Sequence, residues 1–391
     1  MDLEATVERL CGFCDRSAGS DAERRAAGWL RDRLRAAGRN AVFEAHWVRP
    51  HWSTIHLLGA GAGVAGSLLA TASAIAGLAV VAVALASTLL ELTGRPSPVR
   101  LLSFRRATQN VVAPPPRARN GRVRLIVVAA YDAPRRGLAF HPGLRRVDAA
   151  LRRGTRGWWP PPLTVMAVAL ALVTAACAAR VAGYDPQWLA VVQLVPTVVL
   201  LVAVALLADV TLSDPSPDAT GASAVAVALA LVHALDRRPL AKLDVELMLA
   251  GSGDGPALGA RGYVRNRRRR WDPERVAVLE VRPCGAGEPA LWVTDGPVLP
   301  LRLHPRLIEL ARASGSTSPE RGREASAAYR ARQAHWPAVA VGALDADGLV
   351  PRRRSADDEP AALDREAMEE TRDVCLALVT ALDADLAKRE D

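Results

Sequence analysis

SDPSPDATGASAVAVALALVHAL, residues Ser213–Leu235, decides how the rest of the chain is read. Pro215 and Pro217, set among Ser and Asp, make its first part an irregular polar loop. Asp218-Ala-Thr-Gly221 then releases the chain into an apolar run of helical length. A helix that is apolar on every side is buried, in a protein core or in a membrane. In α/β folds a loop of this kind is also where reactive side chains gather, so its residues bear on function as well as on fold.

Working outward, composition narrows the class. The chain has 391 residues, and 50 Lys+Arg against 41 Asp+Glu give a formal charge of +9. Such an excess suits nucleic acid, an anionic membrane surface, or the inner loops of a membrane protein. Apolar residues make up 50% of the chain and concentrate in two blocks, which favours the third reading. The basic run Arg265–Arg270 has no interleaved aromatics to stack bases, so no nucleic-acid partner is expected. Five scattered cysteines imply no disulfide framework, and Cys11-Gly-Phe-Cys14 lacks a second pair to complete a zinc site. No cleavable leader is expected, because the first apolar block comes too late.

From Ile55 to Leu90 there is no Asp, Glu, Lys or Arg. A single helix of that length would exceed about 50 Å, against a hydrocarbon core of about 30 Å. Two spans turning near Thr71–Gly77 fit instead, with Trp47 and Trp52 at the interface. The second block, after Trp158-Trp159-Pro-Pro-Pro, gives spans at Leu163–Ala179 and Trp188–Leu207. Four spans in two hairpins result. Their linking turns hold little charge while the flanking segments are rich in Arg, so both termini and the large domain are expected in the cytoplasm. Between the blocks, Arg135–Arg156 carries seven Arg with Leu144, Val147 and Leu151 on one helical face. It reads either as a helix lying on an anionic leaflet or as a solvated basic loop.

The remaining segments alternate strands with helices. Ala41–Trp47, Arg124–Tyr131, Leu243–Ala250, Ala277–Val281, Pro289–Val293 and Ala338–Leu344 read as strands. Pro305–Ala313 and Ala361–Lys388 read as helices. The expected fold is an α/β, three-layer α/β/α sandwich with a mixed, mostly parallel sheet, interrupted by four transmembrane helices. Residues 1–52, 94–134 and 212–391 build the domain; 53–93 and 161–211 are the hairpins, and 135–160 is the basic segment.

These pieces resemble the zinc aminopeptidases of peptidase family M twenty-eight (clan MH). Arg16-Ser-Ala-Gly-Ser-Asp21 resembles the family's opening turn, and Asn110-Val-Val its first core strand. Val127-Val-Ala-Ala-Tyr-Asp132 resembles the strand that delivers a His-x-Asp. Asp218-Ala-Thr-Gly221 resembles the loop of the metal-bridging Asp, and Ala250–Arg261 the Glu-Glu loop. Val278–Val281 resembles the Leu-Asp strand, and Arg354-Ser-Ala-Asp-Asp358 the closing His-Ser/Thr-x-x-Asp. The resemblance implies two zinc ions, a metal-bound hydroxide and a Glu general base.

Carried over position by position, the resemblance puts the first His ligand on Ala130, with its orienting acid kept as Asp132. The bridging Asp falls on Pro217, and Asp218 follows one residue late. The general base falls on Gly253, its neighbouring ligand on Asp254, the Asp ligand on Glu280 and the last His on Arg354. Ala, Pro and Gly supply no ligating side chain, and Arg354 is a permanent cation. The expectation is therefore a membrane-integral pseudopeptidase without catalytic residues or cofactor, acting as a binding or scaffold module toward a protein or peptide. The alternative is a metal-dependent hydrolase or aminopeptidase with a rearranged carboxylate site on Asp218, Asp254 and Glu280. Zinc enters only in that case, and an oxygen-only set also suits Mg²⁺ or Ca²⁺.

Overall fold

The computed structural model describes residues 2–95, 97–116, 122–238, 240–298, 300–315 and 318–390. The strands are β1 (Val42–Val48), β2 (Arg106–Ala113), β3 (Val123–Ala130), β4 (Leu243–Ala250), β5 (Val276–Val281), β6 (Glu288–Asp295), β7 (Leu301–Arg302), β8 (Ser318–Arg321) and β9 (Ala338–Leu344). The helices before the opening stretch are α1 (Leu3–Cys11), α2 (Asp21–Ala36), α3 (Trp52–Leu69), α4 (Ala74–Leu92), α5 (Pro98–Leu101), α6 (Pro142–Gly154), α7 (Pro162–Val181) and α8 (Gln187–Leu212). After them come α9 (Ala219–Arg237), α10 (Leu258–Arg267), α11 (Pro305–Ala313), α12 (Ala327–Gln333) and α13 (Arg365–Glu390).

The sheet runs β1-β2-β4-β3-β5-β9-β6-β7, with β8 beside β6. Its centre, β4-β3-β5-β9, is parallel, and antiparallel β1-β2 and β6 flank it. Side chains alternate across the pleat, so Leu125, Val127 and Ala129 enter one core and Ile126 and Val128 the other. Both faces are covered, as a parallel sheet requires. α1, α9 and α13 pack on one side, α10 and α12 on the other. The mixed α/β sandwich expected from the sequence is the observed architecture.

α9 is the helix of the opening stretch, and it is buried almost all round. It lies on β3 and β4 and is covered by α1 and α13. Alanines at Ala222, Ala224, Ala226, Ala228 and Ala230 permit that close stacking. Among the described residues, four helices are long and apolar enough to cross a membrane: α4, α7, α8 and α9. In α9, however, 78% of the apolar window is buried in the domain, against 22% for α8. α9 is thus a core helix.

α3 was expected as a span but is not among those four, because glycines, serines and His56 dilute its apolar residues. It still completes a bundle with α4, α7 and α8, which has its own core around Val81, Met166, Leu170 and Leu200. Glycine sets the spacing of the first hairpin: a Cβ on Gly66 would lie 2.5 Å from Val81, and one on Gly77 2.5 Å from Ala70. Buried Gln193 donates from Nε2 to the Ser67 hydroxyl at 2.7 Å and to its carbonyl at 3.0 Å, joining α8 to α3. Outward-facing Val191, Leu194, Val195 and Leu201 form an exposed apolar face on α8.

α6 forms where one of the two readings had a basic helix, and some of its arginines turn to the domain. Arg145 donates to the Val350 carbonyl at 2.7 Å, and Arg153 pairs with Asp347 at 3.0 Å. The arginines therefore strap α6 to the loop after β9, and Leu144, Val147 and Leu151 point outward.

Candidate functional site

The positions singled out from the sequence lie at the carboxyl ends of β3, β4 and β5 and on the loops facing them. In an open parallel sheet this edge is where ligands bind. Ala130 ends β3 beside Ala250, the last residue of β4. Beyond β4, residues 251–257 turn back over that edge through positive φ angles at Ser252 (49°), Gly255 (69°) and Ala257 (45°).

This loop is seated on the β3 end. The Asp132 carboxylate accepts from the N–H of Gly253 at 2.5 Å and of Asp254 at 3.1 Å. A Cβ on Gly253 would stand 2.4 Å from the Ala130 Cβ and 2.9 Å from Asp132 Oδ1. The two positions where the resemblance implies an imidazole and a base thus leave no room for side chains on both. Asp132, which the resemblance implies should orient a histidine, holds the loop instead.

The other acids are each committed to a separate partner. Asp254 pairs with Arg354 and accepts from Trp52 Nε1 at 2.9 Å. The Arg354 guanidinium lies 4.3 Å from the Phe140 ring centroid and 5.7 Å from that of Trp52, with a backbone φ of 64°. Glu280 caps the start of α12, accepting from the N–H groups of Ala327 at 3.2 Å and Ala328 at 3.0 Å, and lies 3.5 Å from Arg282. Asp218, at φ 60°, precedes α9 and pairs with buried Arg16 at 3.3 Å. Pro217 sits just before it, half-buried, without a donor atom in its side chain.

Sequence reasoning passed over three buried residues that hold this edge together. Arg16 donates to the carbonyls of Leu10, Tyr131 and Asp218, tying α1 to the ends of β3 and α9. Asp358 accepts from the N–H and hydroxyl of Thr220 at 2.9 and 2.8 Å. Glu23 accepts from the hydroxyl of Thr108 at 2.7 Å and from the N–H groups of Ser252 at 2.9 Å and Gly19 at 2.7 Å. Its signal was present as Ser20-x-x-Glu23, a capping box whose acid has a second use here.

Burial is the leading cause of the electrostatics. It pushes the Asp218 carboxyl up to about 8 against the opposing pull of Arg16. Burial likewise raises Glu23 to about 7, with Asp132 adding to the rise. Asp132 is raised to about 6, held back by its backbone hydrogen bonds, and Asp358 is also raised to about 6.

The fold's relatives imply zinc, and these residues do not fit it. Zinc needs three or four nitrogen, sulfur or carboxylate ligands converging at about 2.0–2.3 Å. Ala130, Pro217 and Gly253 offer none, while Asp218, Asp254 and Glu280 each face a guanidinium. Among the described residues no group of three or more His, Cys, Asp or Glu is placed to hold a metal ion. His335 stands apart as an exposed residue at φ 64°.

No protein-family model matches the chain, and neither does any curated protein sequence. Solved structures do. A zinc aminopeptidase from Bacillus subtilis aligns with 96% of this chain and 93% of its own at TM-score 0.56 and 11% identity. Glutaminyl cyclase from Fimbriiglobus ruber covers 97% of this chain and 94% of its own at TM-score 0.53 and 14% identity. LapB from Legionella pneumophila covers 97% and 71% at TM-score 0.52 and 12% identity. At such identities the likeness is one of fold, and this chain has the α/β fold of those zinc aminopeptidases and glutaminyl cyclases.

Proposed function

We propose that this chain is a multi-pass membrane protein whose aminopeptidase-like domain works as a binding or scaffold module without a catalytic metal. The observation that carries this reading is the Arg354–Asp254 pair. It sets a permanent cation against a carboxylate the resemblance makes a zinc ligand, on a loop seated on Asp132. Bound peptide or protein would meet the strand-end loops, at the edge where open parallel sheets take ligands.

The apolar outer face of the bundle supports membrane insertion, since a contiguous exposed patch of that kind is rare on soluble monomers. We place both termini and the domain on the cytoplasmic side, because the α/β sheet draws on segments before, between and after the hairpins. Contact with the anionic leaflet falls to the outward edge of α6, Leu144, Val147 and Leu151, with exposed Arg146 and Arg156 beside it.

The test is metal analysis of detergent-purified full-length protein, combined with aminopeptidase and glutaminyl cyclase assays. The expected result is sub-stoichiometric zinc and no turnover. Stoichiometric zinc with activity abolished by Asp254→Ala would overturn the proposal in favour of the rearranged carboxylate hydrolase.

A further inference from the structure

Where α3 and α8 leave the domain, a cavity of about 70 Å³ is lined by His51, Ser53, Thr54, Arg106, Arg135 and Asp254, among others. It adjoins the strand-end site across Asp254 but is built from different groups. α3 begins here without an acidic residue in its first turn and without a side-chain cap. The N–H groups of Ser53 and Thr54 belong to that first turn, where an α-helix leaves its donors unpaired and its dipole positive.

A second observation points to a ligand. Ser53 is only 5% exposed, lines the cavity, and its hydroxyl has no hydrogen-bond partner among the described residues. The cations are also available. The Arg106 side chain makes no hydrogen bond or ion pair among the described residues, and its stem is held by the turn at Gly19, where a Cβ would lie 2.5 Å from the Arg106 Cβ. Arg135 uses one nitrogen, Nη1, on the carbonyls of Thr211 and Ser213 at 3.3 and 2.6 Å. Its remaining guanidinium donors have no acceptor among the described residues. The one acid of the lining, Asp254, is neutralised by Arg354. Burial first, then Arg106 and Arg135, push the His51 pKa down, which places both guanidinium groups within electrostatic reach of the helix start.

We propose that this cavity binds a phosphate group. A helix N-terminus with free N–H groups, a buried hydroxyl and two guanidinium groups match a tetrahedral oxyanion in charge and donor number. The phosphate comes from a phospholipid headgroup or from free phosphate. The position at the first turn of α3 and the last turn of α8 favours the lipid, and that arm rests on the membrane reading, whereas phosphate recognition does not.

The experiment uses delipidated full-length protein in a non-phosphate detergent. Calorimetry measures binding of inorganic phosphate, and native mass spectrometry compares dioctanoyl phosphatidic acid with dioctanoylglycerol, which lacks the phosphate. Arg106→Gln, at an exposed position, and Ser53→Ala are measured in parallel, with unliganded Tm as the folding control. Loss of one charge-assisted contact lowers affinity about tenfold, so Arg106→Gln shows that loss and Ser53→Ala a smaller one. Binding of phosphatidic acid but not dioctanoylglycerol supports the lipid source, and binding of inorganic phosphate alone supports the free anion. Absence of binding by both phosphate probes, or equal affinity in the wild type and both variants, overturns the proposal.

Discussion

Gly253→Ala tests directly whether the loop after β4 has closed over the strand ends. Gly253 is outside the positive-φ region, so alanine is opposed there by contact alone. The new Cβ would meet the Ala130 Cβ at 2.4 Å, more than 1 Å inside the ordinary carbon–carbon separation of about 3.5–4.0 Å. The Ala130 methyl has no torsion by which to swing aside, so the loop must lift. Lifting it stretches the Gly253 and Asp254 hydrogen bonds to Asp132 and draws Asp254 from Arg354. Overpacking of this kind costs about 1–3 kcal/mol. At about 2–4 °C per kcal/mol for a domain of 150–250 residues, Tm falls by several degrees. Ala130→Gly removes the opposing methyl at its own cost of about 0.5–1 kcal/mol. The double variant is therefore more stable than the sum of the two single losses requires. Thermal unfolding of the detergent-purified full-length protein, followed by tryptophan fluorescence, reads all three variants. An unchanged Tm for Gly253→Ala, or strictly additive losses, would mean that the loop stands clear of β3 and that the site is open.

Two further predictions concern charge. Arg354→Met leaves the largely buried Asp254 with Trp52 as its remaining side-chain partner and destabilises by about 3 kcal/mol, while Asp254→Asn in the same chain restores most of the loss; denaturant unfolding in which the double variant is no better than Arg354→Met refutes the pairing. Glu23, Asp132, Asp218 and Asp358 all have folded pKa values raised above their unfolded ones, to between about 6 and about 8. In that window the unfolded chain binds fewer protons than the folded one, so stability falls as pH rises. The contribution of these acids is complete below their unfolded pKa values near 4 and is lost on passing through 6 to 8. Tm measured from pH 5 to pH 8.5 therefore declines, and a steady rise across that range contradicts the buried-acid cluster.

The fold was legible because its cues are local. Leu243–Ala250 and Ala338–Leu344 are short apolar runs bounded by turn residues, and both strands have those limits. Polar strand starts are harder to read: β2 begins in the polar run Arg106-Ala-Thr-Gln109 and was anticipated only at Asn110-Val-Val. α12, seven residues starting at Ala327, is too short to show a helical period, and it owes its start to the Ser326 hydroxyl and to Glu280 from a distant strand. At the site the residue types at Ala130, Pro217 and Gly253, without ligating side chains, are plain in the sequence. The partners of the surviving acids are not, since Arg16 and Asp218 stand 202 positions apart and Arg354 and Asp254 100 apart. For α6, the charge pattern left open what its arginines meet, because arginines serve an acidic or carbonyl-rich loop as well as they serve lipid.

Those distant partners share one pattern. Three carboxylates at the sheet edge each face one guanidinium: Asp218 faces Arg16, Asp254 faces Arg354, and Glu280 faces Arg282. Acids crowded at this edge repel one another. Three arginines from three separate segments supply the opposing positive charge, and Arg16 also donates to the carbonyls of Leu10 and Tyr131. A zinc ion entering this edge would have to expel a guanidinium that is itself largely buried, and breaking such a pair costs about 3–5 kcal/mol before any metal–ligand bond forms. Glutamate at Gly253 alone therefore adds a clash with Ala130 without adding a site.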